Sequence, residues 1–358
     1  MKKSKQVNDL EEVLTNSDEE VMLPPTENLS YEVRSCADLY RMYKNNQLEI
    51  QPDFQRNFVW KPAVQTYFID SLLKGLPIPT IFIALDTNTG KRIVIDGLQR
   101  ISTIVKFFEK EKWRLNRLSD IDENISGKSV AVIKQKSRNL YDRVENATIP
   151  VTTIKCDFSV QGSMDNLFNI FHRLNTGGQK LNNQEIRNCI YSGKFNHLLK
   201  KISKSDEWAK IMGKTSKIDR MDNEEILLRT FAFLDKLDVY NGNLAKFLNH
   251  YMLEKKDISD NELIEKERTL LSSLSFIKDN IDSSASVSQL GKTLKEALLV
   301  GVAKNIDNIT LKSKEEFQTM FQIFMNDEEF AEENLKQGLS KKDKVQSRLG
   351  KAISIFGG

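Results

Sequence analysis

Residues 93–100 read Ile-Val-Ile-Asp-Gly-Leu-Gln-Arg and lead directly into a helical pattern from Ile101 to Phe108. A β-branched apolar run that stops at Asp96-Gly97 and restarts with a helical period predicts a strand-to-helix corner. The corner collects a carboxylate, a glycine that permits close backbone approach and, at Arg100, a planar fork of donors. The first N–H groups of a helix have no partner within it, so such a corner favours an anion, and guanidinium donors suit phosphate. These residue types point to a phosphate-binding or NTP-handling corner. The structural alternative is a tight turn in which Gly97 takes a positive φ, Asp96 caps the helix and Arg100 is a solvated helix residue.

Two further stretches could complete a nucleotide site. Within Gln51 to Trp60, the residues Gln55, Arg56 and Trp60 offer an amide, a guanidinium and a stacking face. The same segment also reads as an aromatic core plug of Phe54, Phe58 and Trp60 with Arg56 at its rim, and residue types alone favour the plug. Leu174-Asn175-Thr176-Gly177-Gly178 closes a helical pattern, where paired glycines ordinarily mark a helix end. Such a loop could equally bring backbone N–H groups at Thr176 and Gly177 and the Asn175 amide against a ligand.

Other patterns fail on spacing. Gly127-Lys128-Ser129 and Gly213-Lys214-Thr215 resemble the end of a P-loop, but Asp122 and Trp208 stand where its first glycine is required. His172, His197 and His250 have no neighbours at metal-ligand spacing, and no Ser/His or Cys/His arrangement suggests a covalent nucleophile. The lysine-rich stretch Lys336 to Lys351 reads as a solvated face that could also meet DNA phosphates.

The elements that must position the corner follow from punctuation and period. Tyr31 to Arg34 predicts a strand, and Ala37 to Asn45 a helix capped by Ser35. Pro62 starts a helix with Val64, Phe68 and Leu72 on one stripe, and Gly75 stops it. Ile81–Leu85 and Arg92–Ile95 form a hairpin across Asp86 to Lys91. After the corner, Ile101, Ile104, Val105 and Phe108 carry a helical stripe. Ile149 to Ile154 is a further strand, Asn166 to Leu174 a helix, and Asn182 with Glu185 a capping box. From about Asn223 onward nearly everything is helical in period. The layout is α+β: a flexible arm over 1–28, an α+β domain over 29–160 and a mainly helical domain over 161–358.

With 358 residues the chain has room for two domains, and its 39% hydrophobic and 29% charged content fits a globular protein with a sizeable core. Lys and Arg number 53 against 50 Asp and Glu, so any basic surface must be local. No apolar run approaches the roughly 20 residues that span a bilayer, and Met1-Lys2-Lys3-Ser4-Lys5 leads into no signal-peptide core, so no membrane association is expected. Cys36, Cys156 and Cys189 form neither a disulfide framework nor a zinc pattern, so a reducing cytoplasm is the expected location.

Four segments in order carry a family resemblance: Gln55-Arg56-Asn57-Phe58-Val59-Trp60, Ser71-Leu72-Leu73-Lys74-Gly75-Leu76-Pro77-Ile78-Pro79, Ile95-Asp96-Gly97-Leu98-Gln99-Arg100 and Phe171-His172-Arg173-Leu174-Asn175-Thr176-Gly177-Gly178. Together they resemble the N-terminal domain family of GmrSD-type modification-dependent restriction systems. The resemblance implies a ParB/sulfiredoxin-like core and an Asp-Gly-Gln-Gln-Arg-type signature tied to nucleoside triphosphate binding and hydrolysis. Asp96, Gly97, Gln99 and Arg100 match that signature, while Leu98 replaces its first glutamine, so binding is implied more strongly than hydrolysis. Arg100 and Arg56 would hold phosphates of an NTP, with GTP, ATP and CTP left open. Asp96 would orient a water or Mg²⁺, and Gln99 the γ-phosphate or base. Full-length relatives carry a C-terminal HNH nuclease for which this sequence shows no pattern. The expected role is thus a nucleotide-binding sensor or regulatory subunit of a bacterial restriction or anti-phage system, acting on modified phage DNA with a nuclease in trans. Self-assembly stays open. A DNA-binding adaptor without NTP turnover and a metal-dependent nuclease are the alternatives, and losing Arg100 is expected to abolish nucleotide effects while sparing the fold.

Overall fold

The computed structural model describes residues 28–50, 60–174, 181–212, 221–281, 287–335 and 337–358. They divide between Leu181 and Asn182 into two compact units. The first contains β1 (Leu29–Ser35), α1 (Cys36–Lys44), β2 (Leu48–Glu49), α2 (Pro62–Leu73), β3 (Ile81–Asp86), β4 (Arg92–Asp96), α3 (Leu98–Glu109), α4 (Val130–Lys136), α5 (Arg138–Asn146), β5 (Thr148–Cys156) and α6 (Gln161–Leu174). Helix α6 lies in the same unit as the sheet.

The five strands make one mixed sheet in the order β1-β5-β3-β4-β2. β3 and β4 form the expected hairpin, and Asp86 closes it by accepting from Thr89 Oγ1 at 2.6 Å and from the N–H of Phe158 at 3.2 Å. β5 runs parallel to β3 and antiparallel to β1. One sheet face contributes Ile81, Ile83 and Val151 to a core closed by Leu39, Ile69, Leu72, Ile101, Ile104 and Phe107 from the helices. The helix after Pro62 forms as expected and buries Phe68 and Leu72, but Val64 is 42% exposed and Gln65 and Ile69 turn inward in its place. In α3 the stripe runs through Phe107, which stacks on Tyr141 with centroids 5.4 Å apart, and Phe108 is only partly buried. Ser35 caps α1 as anticipated, accepting from Asp38 N–H at 3.1 Å.

The second unit is helical throughout its described residues. It opens on α7 (Asn183–Ile190), followed by α8 (Lys194–Ser203), α9 (Asp206–Met212), α10 (Asp222–Lys236), α11 (Leu244–Glu254), α12 (Asp260–Asn280), α13 (Lys292–Lys304), α14 (Ile306–Ile309), α15 (Lys314–Asn326) and α16 (Lys342–Gly357). The capping box at α7 is present in both directions, with Asn182 Oδ1 accepting from Glu185 N–H at 2.8 Å and Glu185 Oε2 from Asn182 N–H at 2.7 Å. The lysine-rich end is no simple solvated face: Val345, Leu349, Ala352 and Phe356 of α16 are buried, and α16 meets α13 at Gly301, where a Cβ would stand 2.8 Å from Ala352 O. At the centre of this unit Glu296 is fully buried between two buried guanidinium groups. Arg229 donates through Nε to Glu296, and Arg348 Nη2 lies 3.4 Å from its other oxygen. Burial pulls Arg348 below the usual arginine range, opposed by Glu296. No helix among the described residues is long and apolar enough to cross a membrane.

Removing one member of a buried charge cluster leaves the others uncompensated. Glu296→Ala is expected to lower unfolding stability in urea by about 3–5 kcal/mol, and Lys194→Ala, which breaks the exposed pair with Asp260, by less than about 1 kcal/mol.

Candidate functional site: the corner between β4 and α3

The corner is built by a register slip. Ile83 faces Val94 across the β3–β4 hairpin and Phe82 faces Asp96, so Ile95 is an extra residue on β4. A bulge bends its strand and re-aims the side chain that follows, here Asp96. Gly97 then takes φ 95° as the N-cap of α3. A Cβ at this position would stand 2.8 Å from Ile81 Cγ1 and 3.1 Å from Arg100 Nη2, so both the backbone angle and the space require glycine. The positive φ was legible in the sequence. What approaches Gly97 so closely is the protein's own Ile81 and Arg100.

Arg100 folds back over Gly97. Its Nη2 donates to Asp96 Oδ2 at 2.7 Å, and its Nη1 donates to the carbonyl oxygens of Pro79 and, at 3.3 Å, Thr80. The guanidinium is largely buried, which draws its pKa below the usual arginine range, while Asp96 opposes that shift. Arg100 is therefore not a solvated helix residue, and Asp96 does not cap α3: its carboxylate goes to Arg100, and Gly97 makes no side-chain cap. The same contacts give Arg100 a part in holding the turn, since two backbone carbonyls and a carboxylate depend on it. The Asp96 side chain remains 38% exposed and its Oδ1 has no partner among the described residues.

Gln99, in the first turn of α3, accepts from the Trp60 N–H at 3.0 Å. The Trp60 carbonyl accepts from Gln65 Nε2 at 3.0 Å, and Gln65 Oε1 accepts from Lys106 Nζ at 2.8 Å. The Trp60 ring packs edge-on against Phe68 with centroids 5.6 Å apart, as the core-plug reading has it. Gln65 and Lys106 escaped the sequence reading, and their only local signal was a polar residue interrupting an apolar stripe. Gln55, Arg56, Asn175, Thr176 and Gly177 lie outside the described residues. The residues bordering those segments are well placed in the fold: Ile50 is buried, Trp60 is tied to Gln99, and α6, ending at Leu174, packs on β4 and β5.

The corner thus presents the free first-turn N–H groups of α3, an accessible carboxylate oxygen at Asp96 and the Gln99 amide beside a buried cation. No cluster of three or more His, Cys, Asp or Glu that could hold a metal occurs among the described residues. A cation here would have Asp96 as its described protein ligand, which suits Mg²⁺, an ion that keeps waters and binds largely through substrate phosphates.

No curated protein and no solved structure matches the chain. Residues 36–192 match the family model described as GmrSD restriction endonuclease, N-terminal domain, a span that runs from α1 through α7 and includes the whole corner. Over this span the chain is similar to the GmrSD restriction endonuclease N-terminal domain family, whose name ties that family to restriction.

Proposed function

We propose that this chain is a nucleotide-responsive sensor subunit of a modification-dependent restriction or anti-phage system, acting with a nuclease supplied in trans. The observation that carries the reading is the Asp96–Arg100 pair at the bulged β4–α3 corner, inside the span that matches the restriction family. Around that pair lie the groups phosphoryl binding draws on: first-turn N–H donors, a carboxylate oxygen free for Mg²⁺ or water, and a side-chain amide. Phosphoryl chemistry depends mainly on positioning and charge neutralisation, which a prearranged corner supplies without a covalent nucleophile. An NTP with Mg²⁺ would be held by the amides of Leu98 and Gln99, with Asp96 on the metal side and Arg56 as the second phosphate cation. Arg100 acts chiefly by holding Asp96 and the turn in place. Asn175, Thr176 and Gly177 would add polar contacts to the nucleotide, as the family resemblance implies. The protein would act in the cytoplasm, where modified phage DNA enters.

One observation favours a second reading. The Arg100 fork is already engaged by Asp96 and by the carbonyls of Pro79 and Thr80, which is what a corner with a purely structural role would show. The chain would then be a DNA-binding adaptor without a nucleotide requirement.

Titration of each NTP with Mg²⁺, together with phosphate release with and without modified phage DNA, separates the two. Gln99→Ala is expected to weaken NTP binding about tenfold, the equivalent of one lost hydrogen bond of about 1.4 kcal/mol, and to cost about 1 kcal/mol of stability in urea by unpairing the Trp60 N–H. Arg100→Ala is expected to lose the nucleotide response together with about 2 kcal/mol of stability in urea. Wild-type protein that binds no NTP but still binds DNA would establish the adaptor reading instead.

A further inference from the structure

Helix α3 continues past Glu109 into an excursion, residues 110–129, that the corner does not use. Its two arms are zipped together: the Leu115 N–H donates to Lys128 O at 3.0 Å, the Val130 N–H to Trp113 O at 3.0 Å and the Gly127 N–H to Asn116 O at 3.3 Å. Leu115, Ile121 and Ile125 are buried and anchor it to the core. Its outer side carries exposed Lys110, Lys112, Arg114, Arg117 and Lys128. None of these five has a carboxylate partner among the described residues, although acidic groups are near in sequence. Three of those acids are occupied elsewhere: Glu111 binds Lys134 at 3.1 Å, Asp120 accepts from Tyr67 Oη at 3.0 Å and Asp122 accepts from the Asn124 N–H at 2.8 Å. Glu123 is exposed.

Three of the cations converge on one turn. Gly127 has φ 67°; Arg114 Nη1 donates to its carbonyl at 3.3 Å, a Cβ built on it would lie 3.4 Å from Arg117 Nε, and Lys128 follows it in the chain. The base of the excursion is stiffened where Lys106 Nζ sits 4.3 Å above the Trp113 ring. Cations held ready on an anchored loop lose little freedom when they meet an anion. The excursion exposes no large apolar side chain, so it lacks the aromatic or aliphatic anchor that a protein partner would bury. A polyanion presenting regularly spaced phosphates fits it, and the restriction family narrows that polyanion to DNA. We propose that residues 110–129 hold the sugar-phosphate backbone of duplex DNA, with Arg114, Arg117 and Lys128 as phosphate contacts. Such contacts fix register and orientation and carry no sequence information, which leaves the reading of a modification to another part of the protein.

The test uses the full chain without nucleotide, so it stands apart from the reading of the corner. Anisotropy of a labelled, unmodified DNA duplex is followed over a series of salt concentrations. Replacing Arg114, Arg117 and Lys128 together by Ala is expected to weaken binding about tenfold or more and to flatten the slope of log K against log salt by about 2.7, or about 0.9 for each lost phosphate contact. Lys128→Ala alone is expected to flatten it by about 0.9, which keeps the test open if the triple variant folds poorly. Arg114→Lys with Arg117→Lys retains the charges and should retain the slope. Replacing Lys341, Lys342 and Lys344 by Ala, on the other lysine-rich stretch, should change neither quantity. The proposal is overturned if the triple variant binds like wild type, if the 341–344 variant shows the same loss, if wild type binds no duplex DNA, or if an RNA duplex is preferred over DNA.

Discussion

The first unit depends on a guanidinium that has left water. Arg100 joins three pieces of backbone that the chain order keeps apart: the end of β4 at Asp96, the approach to β3 at Pro79 and Thr80, and the first turn of α3. An arginine this deep stays only if its donors are satisfied, because a buried unpaired charge costs several kcal/mol. Gly97 makes the arrangement possible by leaving the volume that a Cβ would fill between Ile81 and Arg100. The bulge at Ile95 completes it by turning Asp96 toward the guanidinium. Any ligand at this corner meets a carboxylate and a set of amides already fixed in position.

From the same corner a line of polar contacts runs through the apolar interior. Gln99 holds the Trp60 N–H, Gln65 holds the Trp60 carbonyl, and Lys106 reaches Gln65 while lying over Trp113 at the foot of the basic excursion. Each contact pairs a partly buried polar group, so the line first of all supports the fold. It also places the candidate phosphate corner and the basic turn on one continuous framework, at opposite ends of α3. Burial lowers the pKa of Lys106.

The second unit solves a comparable problem with charge. Helices α10, α13 and α16 each contribute to a buried Arg229–Glu296–Arg348 cluster. Replacing such a cluster by apolar residues is often neutral or better for stability, whereas losing one member is costly. The cluster links α10, α13 and α16, and Gly301 allows α16 to pack closely on α13.

The sequence by itself determined the local features. The strand-to-helix corner, the positive φ at Gly97, the hairpin across Asp86 to Lys91, the caps at Ser35 and Asn182 and the α+β layout all rest on backbone hydrogen bonding and turn sterics, which neighbouring residues encode. Tertiary structure alone decided where long side chains go. Arg100 read equally well as a phosphate ligand or a solvated residue until the carbonyls of Pro79 and Thr80 were brought beneath it. Gln99 and Trp60 are 39 residues apart, and nothing local pairs them. The inward turn of Gln65 and Ile69 in place of Val64, the burial of Phe107 ahead of Phe108 and the buried Arg348 in a lysine-rich stretch have the same cause. Periodicity shows that a helix has an apolar face, while the element packed against it selects which residues at that face's edge are covered.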